Sequence, residues 1–178
     1  MLKKVRGFTL IELLIVVAIL GILAALLIPN AITAIQKAKQ KSTMKDLVVI
    51  STAIADHITD AGVTPTSPSG PYQPTSDFYK ALSPFYIKVL PLSDQWGTPF
   101  QAWCGLAADG IYGIGNVAGD DFLMASFGRD KAAESFSFST STPELGLFVV
   151  SKSEHFNYDL VIWNGSWIRA PRSAAAST

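Results

Sequence analysis

The sequence predicts an α+β fold in which one long N-terminal helix packs on a small antiparallel β-sheet domain. An apolar run extends from Phe8 to Ile28, and apolar residues then recur at spacings of three and four from Met44 to Ile58. Several short segments after position 99 have the aromatic and β-branched composition of strands. The chain therefore divides into a helix with an apolar first half and a globular remainder.

The first half of the predicted helix, residues 8–29, is long enough to span a membrane. About 21 apolar residues with a rise of about 1.5 Å each give about 31 Å, which matches the hydrocarbon core of a bilayer. Lys3, Lys4 and Arg6 precede the run, so the positive-inside bias predicts a cytoplasmic N-terminus. A cleaved secretory signal and a plain signal anchor are the alternatives, although a secretory signal has only about 7–15 apolar residues.

Glu12 is the only ionisable side chain inside this apolar run. A charge in hydrocarbon costs about 2.5–3.5 kcal/mol on insertion scales, so such residues are functional by default and need a partner. The alternative is a glutamate that reaches the interface or is protonated within a lone helix.

The second half of the helix, residues 30–61, has an apolar stripe suited to covering a sheet. Leu47, Ile50 and Ile54 lie on this stripe, and Gly62 after Asp60-Ala61 indicates where the helix ends. The polar and basic stretch from Gln36 to Lys41 is interpreted as a solvated face rather than a binding patch.

The globular domain, residues 62–172, begins with a loop from Val63 to Thr75 that is rich in Pro, Ser, Thr and Gly. Phe78 to Leu82 is predicted to form a helical turn. Strands are predicted at Phe100 to Leu106, Ile111 to Ile114, Phe122 to Phe127, Leu147 to Ser151 and Leu160 to Trp163. Residues 173–178 are predicted to be disordered.

Composition and motifs give no support to nucleic-acid binding or catalysis. The formal net charge is zero, and the single cysteine, Cys104, cannot form an internal disulfide and is predicted to be buried. His57 and His155 lack metal-ligand spacing, and the glycine-rich stretch from Asp109 to Asp121 lacks the context of a phosphate-binding loop. Asn164-Gly165-Ser166 fits both a glycosylation site and a hairpin turn. We therefore expect a protein that is not an enzyme.

The segment Gly7-Phe8-Thr9-Leu10-Ile11-Glu12 resembles the processing site of type IV pilins and type II secretion pseudopilins. The resemblance implies that residues 1–7 are a leader, that a prepilin peptidase cuts between Gly7 and Phe8, and that the new N-terminus becomes N-methyl-Phe8. It also implies the type IV pilin fold, with Glu12 as the family's fifth mature residue and Pro29 as its helix-breaking proline.

Cleavage would give Glu12 a cationic partner. The new α-amino group has a reference pKa of about 7.7–8.0 and is largely protonated at neutral pH. Pairing Glu12 of an incoming subunit with Phe8 of its neighbour would set the axial register of assembly. Gly21 and Pro29 weaken the helix between them. The resemblance implies that this stretch loses helical structure in a filament, and a simple kink is the alternative.

A second motif, Asp94-Gln95-Trp96-Gly97-Thr98-Pro99-Phe100, resembles the Asp-x-Trp-Gly-x-Pro segment of the major pseudopilin and of pilins close to it. We expect a structural turn. Asp94 would bond the backbone ahead of it, Gly97 would supply unusual dihedrals, Pro99 would fix the start of a strand and Trp96 would anchor the turn in the core.

Two later segments resemble the C-terminal loop that holds a calcium ion in that branch: Ser126 to Asp130 and Asn157 to Leu160. The resemblance implies Asp130, Asp159 and the carbonyl of Phe127 as ligands. The insert between them, Lys131 to Phe156, is longer and poorer in acids than the family loop, and calcium wants six to eight oxygens. The alternative is that both acids are turn or strand-end residues.

The resemblance implies a structural subunit that polymerises into a helical filament, most like the major pseudopilin of type II secretion. Its implied partners are other copies of itself, a prepilin peptidase, a platform protein, an ATPase, minor pilins or pseudopilins and the membrane. It would wait in the inner membrane with a periplasmic domain, then join a periplasmic pseudopilus or a surface pilus. A type IV pilus subunit and a membrane-anchored periplasmic enzyme or binding domain are the alternative functions.

Overall fold

The computed structural model describes residues 7–66 and 69–172. The chain forms two compact units, one up to Lys37 and one from Ala38 onward, and each is described by itself. Most of the predicted leader and the predicted disordered tail, residues 173–178, lie outside the described residues.

Helix α1 runs without interruption from Leu10 to Ala61 and contains Pro29. It ends as predicted, because Gly62 has a positive φ of 71° and its N–H donates to the carbonyl of Ile58 at 2.8 Å. In the first unit the helix is apolar and exposed. In the second unit it supplies one wall of the core.

The second unit contains the sheet and one short helix, α2, over Asp77–Leu82. The strands are β1 Gly70–Pro71, β2 Gln101–Cys104, β3 Phe122–Ser126, β4 Leu147–Phe148, β5 Leu160–Trp163 and β6 Ser166–Pro171. Their order in the six-stranded sheet is β1-β2-β3-β5-β6-β4. All neighbouring pairs are antiparallel except β4 and β6, which are parallel. The sheet is therefore mixed through this one pair, and the predicted α+β fold, a long helix packed on a small and mostly antiparallel sheet, is confirmed.

The central strand β3 is buried on both faces of the sheet. Met124 belongs to the cluster that contains Leu47, Ile50 and Ile54 of α1, which confirms the predicted stripe. That cluster also buries Cys104, as expected. On the opposite face a second cluster forms from Ala108, Ile114, Leu123, Ala125, Val161 and Ile168. Two apolar layers thus hold β3 in place, one supplied by a helix and one by connecting segments.

The structure departs from the predicted strands in several places. Residues 111–113 form a 3₁₀ turn instead of a strand, because Gly110 and Gly113 take positive φ angles that close the backbone on itself. The apolar side chain of Ile114 still covers the sheet, which is why the composition resembled a strand. The predicted loop from Val63 to Thr75 contains β1.

Strand β6 was not predicted, since the buried Arg169 and the terminal Pro171 obscure its alternation. Asn164 and Gly165, both at positive φ, form the two-residue turn between β5 and β6. The hairpin interpretation of this motif is confirmed.

Candidate functional site

The predicted processing residues lie at the start of the described chain. Gly7 and Phe8 precede the first residue of α1 and are exposed, with 80 % of the Phe8 side chain accessible. A peptide bond in such an exposed, non-helical segment is available to a peptidase.

Thr9 and Glu12 form a reciprocal cap at the start of α1. The backbone N–H and the hydroxyl of Thr9 donate to Oε2 of Glu12 at 2.8 and 2.5 Å, and the N–H of Glu12 donates to Oγ1 of Thr9 at 3.3 Å. This arrangement is a capping box. The backbone N–H of each residue, which the helix itself leaves without an acceptor, donates to the side chain of the other residue. This partner of Glu12 within its own chain was not predicted, although the spacing Thr-x-x-Glu could have revealed it.

The rest of the first unit presents apolar side chains outward. Every large apolar side chain from Phe8 to Ile28 is at least 47 % exposed. By length and composition α1 is able to cross a membrane. An exposed apolar surface of this extent needs lipid or other protein around it.

Gly21 and Pro29 both lie within the uninterrupted helix, so the single subunit is helical at the predicted hinge. The hydroxyl of Thr33 donates to the carbonyl of Pro29 at 3.0 Å. Proline has no N–H to offer the carbonyl four residues earlier, which leaves the turn near Ala25 one hydrogen bond short. A side chain at Gly21 would meet no atom within 4 Å.

In the second unit, Asp94 is the hub of the predicted turn. Its Oδ1 accepts from the N–H groups of Trp96 and Thr98, each at 2.9 Å, and its Oδ2 accepts from the hydroxyl of Ser126 at 2.7 Å. The carboxylate is buried, and three donors compensate its loss of water. Asp94 thus joins the turn to the end of β3.

The other turn residues have simpler roles. Gly97 takes a φ of 82°, as expected. Pro99 lies just before β2 and pairs with Ser93 in an isolated antiparallel β-bridge. Trp96 is half-buried, and its role as the anchor of the turn in the core stays a prediction. Asp94 is buried in this turn, and its side chain accepts hydrogen bonds from the backbone N–H groups of Trp96 and Thr98.

The three residues implied as calcium ligands have different surroundings. Asp159 is fully buried, Asp130 is exposed and Phe127 is half-buried. The Oδ2 of Asp159 accepts from the hydroxyl of Tyr112 at 2.5 Å and from the N–H of Glu134 at 2.9 Å. Burial raises the pKa of the Asp159 carboxyl to about 6. Oδ1 of Asp159 is buried without a hydrogen bond.

The described side chains around Asp159 supply few of the oxygens that a calcium ion needs. Within residues 7–66 and 69–172, no group of three or more His, Cys, Asp or Glu is arranged to hold a metal. A hollow of about 290 Å³ is lined by Asp130, Glu134 and Glu154, but Glu134 already binds the guanidinium of Arg169. Calcium needs six to eight oxygens, and a neighbouring cation opposes it. Sequence reasoning missed Glu134 and Arg169 because they are 35 residues apart and match no local motif.

Comparison with known proteins agrees with the N-terminal geometry. The family model for the prokaryotic N-terminal methylation motif matches residues 2–28. No solved structure matches the chain.

Relatives of the chain in several bacteria carry the name type II secretion system core protein G. The protein from Vibrio cholerae serotype O1 is 36% identical over 107 residues, covering 56% of this chain and 71% of the relative. That from Aeromonas hydrophila is 35% identical over 105 residues, covering 56% and 73%. That from Pseudomonas aeruginosa is 35% identical over 109 residues, also covering 56% and 73%. With the methylation motif, the capped helix start and the long helix on a mixed sheet, these matches show that the chain belongs to the family of type II secretion system core protein G, within the type IV pilins.

Proposed function

We propose that this chain is a structural subunit that polymerises into the helical pseudopilus of a type II secretion system. The observation that carries the proposal is the exposed apolar half of α1, whose first turn is capped by Thr9 and Glu12 and lies within the matched methylation motif. A prepilin peptidase would cut between Gly7 and Phe8 and methylate Phe8. The subunit would then wait in the inner membrane, with its globular unit in the periplasm.

In this proposal Glu12 serves two partners through its two oxygens. Thr9 of the same chain uses only Oε2. Within the described part of the chain, no hydrogen bond reaches Oε1. A neighbouring subunit's N-terminal ammonium could therefore bind Oε1 without displacing the cap, and the pair would gain strength in a low dielectric. This geometry supports Glu12 as the group that sets the register of assembly.

Polymer growth would need further components. A platform protein and an ATPase would drive subunits out of the membrane, and minor pseudopilins would start or cap the polymer. The exposed apolar helix of each subunit would exchange lipid for the helices of other subunits, which keeps its apolar surface away from water at every stage.

The processing step is tested by mass spectrometry of the protein purified from cells that contain a prepilin peptidase. We expect the chain to begin at Phe8 and to carry one methyl group on its α-nitrogen. A chain that begins at Met1, or an unmethylated Phe8, would contradict the proposal.

The role of Glu12 is tested by Glu12→Gln, with Glu144→Gln as a matched control on the exposed surface of the globular unit. The amide keeps the size of the side chain and one oxygen for Thr9 but removes the charge that attracts an ammonium. We expect filaments, counted by electron microscopy after overproduction, to fall at least about tenfold, which corresponds to about 1.4 kcal/mol. The control should assemble normally.

Complementation distinguishes the remaining functions. In a strain that lacks its own core protein G, the chain should restore secretion. Surface pili without secretion would favour a type IV pilus subunit. Equal behaviour of the wild-type protein and Glu12→Gln, with no filament from either, would favour a tethered periplasmic domain.

A further inference from the structure

Strand β6 carries a buried arginine surrounded by aromatic rings. Arg169 is only 8 % exposed. Its guanidinium carbon lies 4.5 Å from the ring centre of Tyr158, 4.8 Å from that of Phe136 and 5.1 Å from that of Phe148. Three aromatic faces within about 6 Å form a cage that favours a cation.

One carboxylate neutralises this cation. Nε and Nη2 of Arg169 donate to the two oxygens of Glu134 at 3.0 and 2.5 Å, in the fork geometry that suits a carboxylate. Nη1 lies 3.4 Å from the carbonyl of Gly146. A buried charge without such partners would be strongly destabilising.

The same glutamate connects the arginine to Asp159. The N–H of Glu134 donates to Oδ2 of Asp159 at 2.9 Å, and the N–H of Asp159 donates to Oε2 of Glu134 at 3.4 Å. Arg169, Glu134 and Asp159 therefore form one network. It joins β6 and the start of β5 to the segment from Lys131 to Phe156, which we call the insert.

The insert supplies most of what surrounds the arginine: the carboxylate of Glu134, the rings of Phe136 and Phe148, and the carbonyl of Gly146. We propose that Arg169 is a built-in cation that holds the insert on the sheet, and that it replaces a bound calcium ion in this C-terminal region. This proposal explains both the length of the insert and its shortage of acids. A calcium ion needs many oxygen ligands, whereas an arginine needs only one carboxylate and a cage of aromatic rings.

A second guanidinium strengthens the electrostatic argument. Arg129 donates to the side chains of Asn157 and Ser153, each at 2.9 Å, beside the hollow lined by Asp130, Glu134 and Glu154. Two residues that line the hollow, Glu134 and Asn157, are therefore already bonded to guanidinium groups, whose positive charges oppose a divalent cation there.

The first test is a calcium titration of the full chain in detergent micelles. We expect no heat of binding by calorimetry, and the same Tm in excess calcium chloride and in EGTA. A calcium ion bound at one hundred times its Kd would raise Tm by roughly 5–10 °C. A rise of that size, abolished by Asp159→Asn, would overturn the proposal. This test needs only the wild-type protein, so it remains decisive even if a variant fails to fold.

The second test compares Arg169→Met with Arg172→Met, which removes an exposed arginine just beyond the end of β6. Trypsin cuts after Lys131 and Lys152, which are exposed at the two ends of the insert. We expect Arg169→Met to speed these cuts on the order of tenfold, because the insert loses its attachment, and Arg172→Met to leave them unchanged. Equal rates in the two variants would contradict the proposal.

A double variant distinguishes the ion pair from simple packing. Arg169→Met leaves Glu134 half-buried without its cation, whereas Arg169→Met with Glu134→Met leaves no unpaired charge. We expect the double variant to be cut more slowly than Arg169→Met alone. If the two changes instead add independently, Arg169 does not act through Glu134 and the proposed network is wrong.

Discussion

Two glycines with similar backbone angles have opposite surroundings at the residue scale. Gly97 has a φ of 82° and open space where a Cβ would lie. Gly128 has a φ of 68°, and an added Cβ would lie 2.8–2.9 Å from the carbonyl oxygens of Phe156, Asn157 and Tyr158. Gly97 is therefore required by its backbone angle alone, whereas Gly128 is required by both angle and space.

We predict that Gly128→Ala destabilises the second unit much more than Gly97→Ala. The left-handed angle costs either variant about 1 kcal/mol, and the clash with backbone that cannot move easily adds about 2 kcal/mol or more at Gly128. Urea unfolding followed by tryptophan fluorescence would measure both changes. Equal losses would show that the Phe156 to Tyr158 backbone moves aside at little cost.

Asp94 also belongs to the residue scale. Its three hydrogen bonds explain why an acid is buried in this turn, and two of them are bonds to the backbone ahead, as the sequence predicts. The turn is further attached to α1, because the N–H of Gln95 donates to the hydroxyl of Thr43 at 3.2 Å and its side chain bonds Asp46. One short segment therefore joins the helix to the sheet.

At the scale of elements, α1 combines a stable second half with a weakened stretch from Gly21 to Pro29. The stable half is held by burial of Leu47, Ile50 and Ile54 against the sheet. The weakened stretch has no buried residue in the described chain, so its helix depends on local hydrogen bonds. Gly21 lowers the helix propensity there, and Pro29 lacks the N–H that would bond the carbonyl four residues earlier.

The proposed loss of helix in this stretch on assembly predicts a graded effect of helix propensity. Gly21→Ala adds a Cβ into open space and stabilises the helix by about 0.5–1 kcal/mol. We expect filament yield to fall from the wild-type protein to Gly21→Ser to Gly21→Ala at equal subunit levels in the membrane. Serine is larger than alanine but a weaker helix former, so this order separates propensity from bulk. A lower yield from Gly21→Ser than from Gly21→Ala would instead indicate that side-chain volume at position 21 limits assembly.

For the whole molecule, the two units depend on different environments. Buried residues in the described chain begin at Gln40, so the core of the second unit lies entirely within the residues from Ala38 onward. The first unit is apolar and exposed, and its environment has to come from lipid or from other subunits.

We predict that a chain starting at Ala38 folds as a soluble monomer. Its Tm should lie within about 3 °C of that of the full chain in detergent, because truncation removes no buried residue, and a change of 1 kcal/mol would shift Tm by only about 2–4 °C. Circular dichroism and size-exclusion chromatography would measure this. Aggregation, or a Tm lower by 10 °C or more, would show that the first unit stabilises the second.

Features that depend on residues close together in the chain could be predicted from the sequence alone. The long helix with its buried stripe, the end of α1 at Gly62, helix α2, strands β2, β3 and β5, and the Asn164-Gly165 turn all follow from short-range periodicity or from turn chemistry. The processing motif at Gly7 and Phe8 and the acid at Glu12 are equally local, which is why they pointed to the family.

Features that depend on distant residues required the folded chain. The parallel pairing of β4 with β6 and the Arg169–Glu134 pair each join segments whose separation in sequence carries no periodic signal. Whether a buried charge is matched by calcium or by arginine is set by which oxygens, rings and cations converge in space. A pattern of single residues cannot encode that convergence, since the free energy of a buried charge depends on all of its neighbours at once.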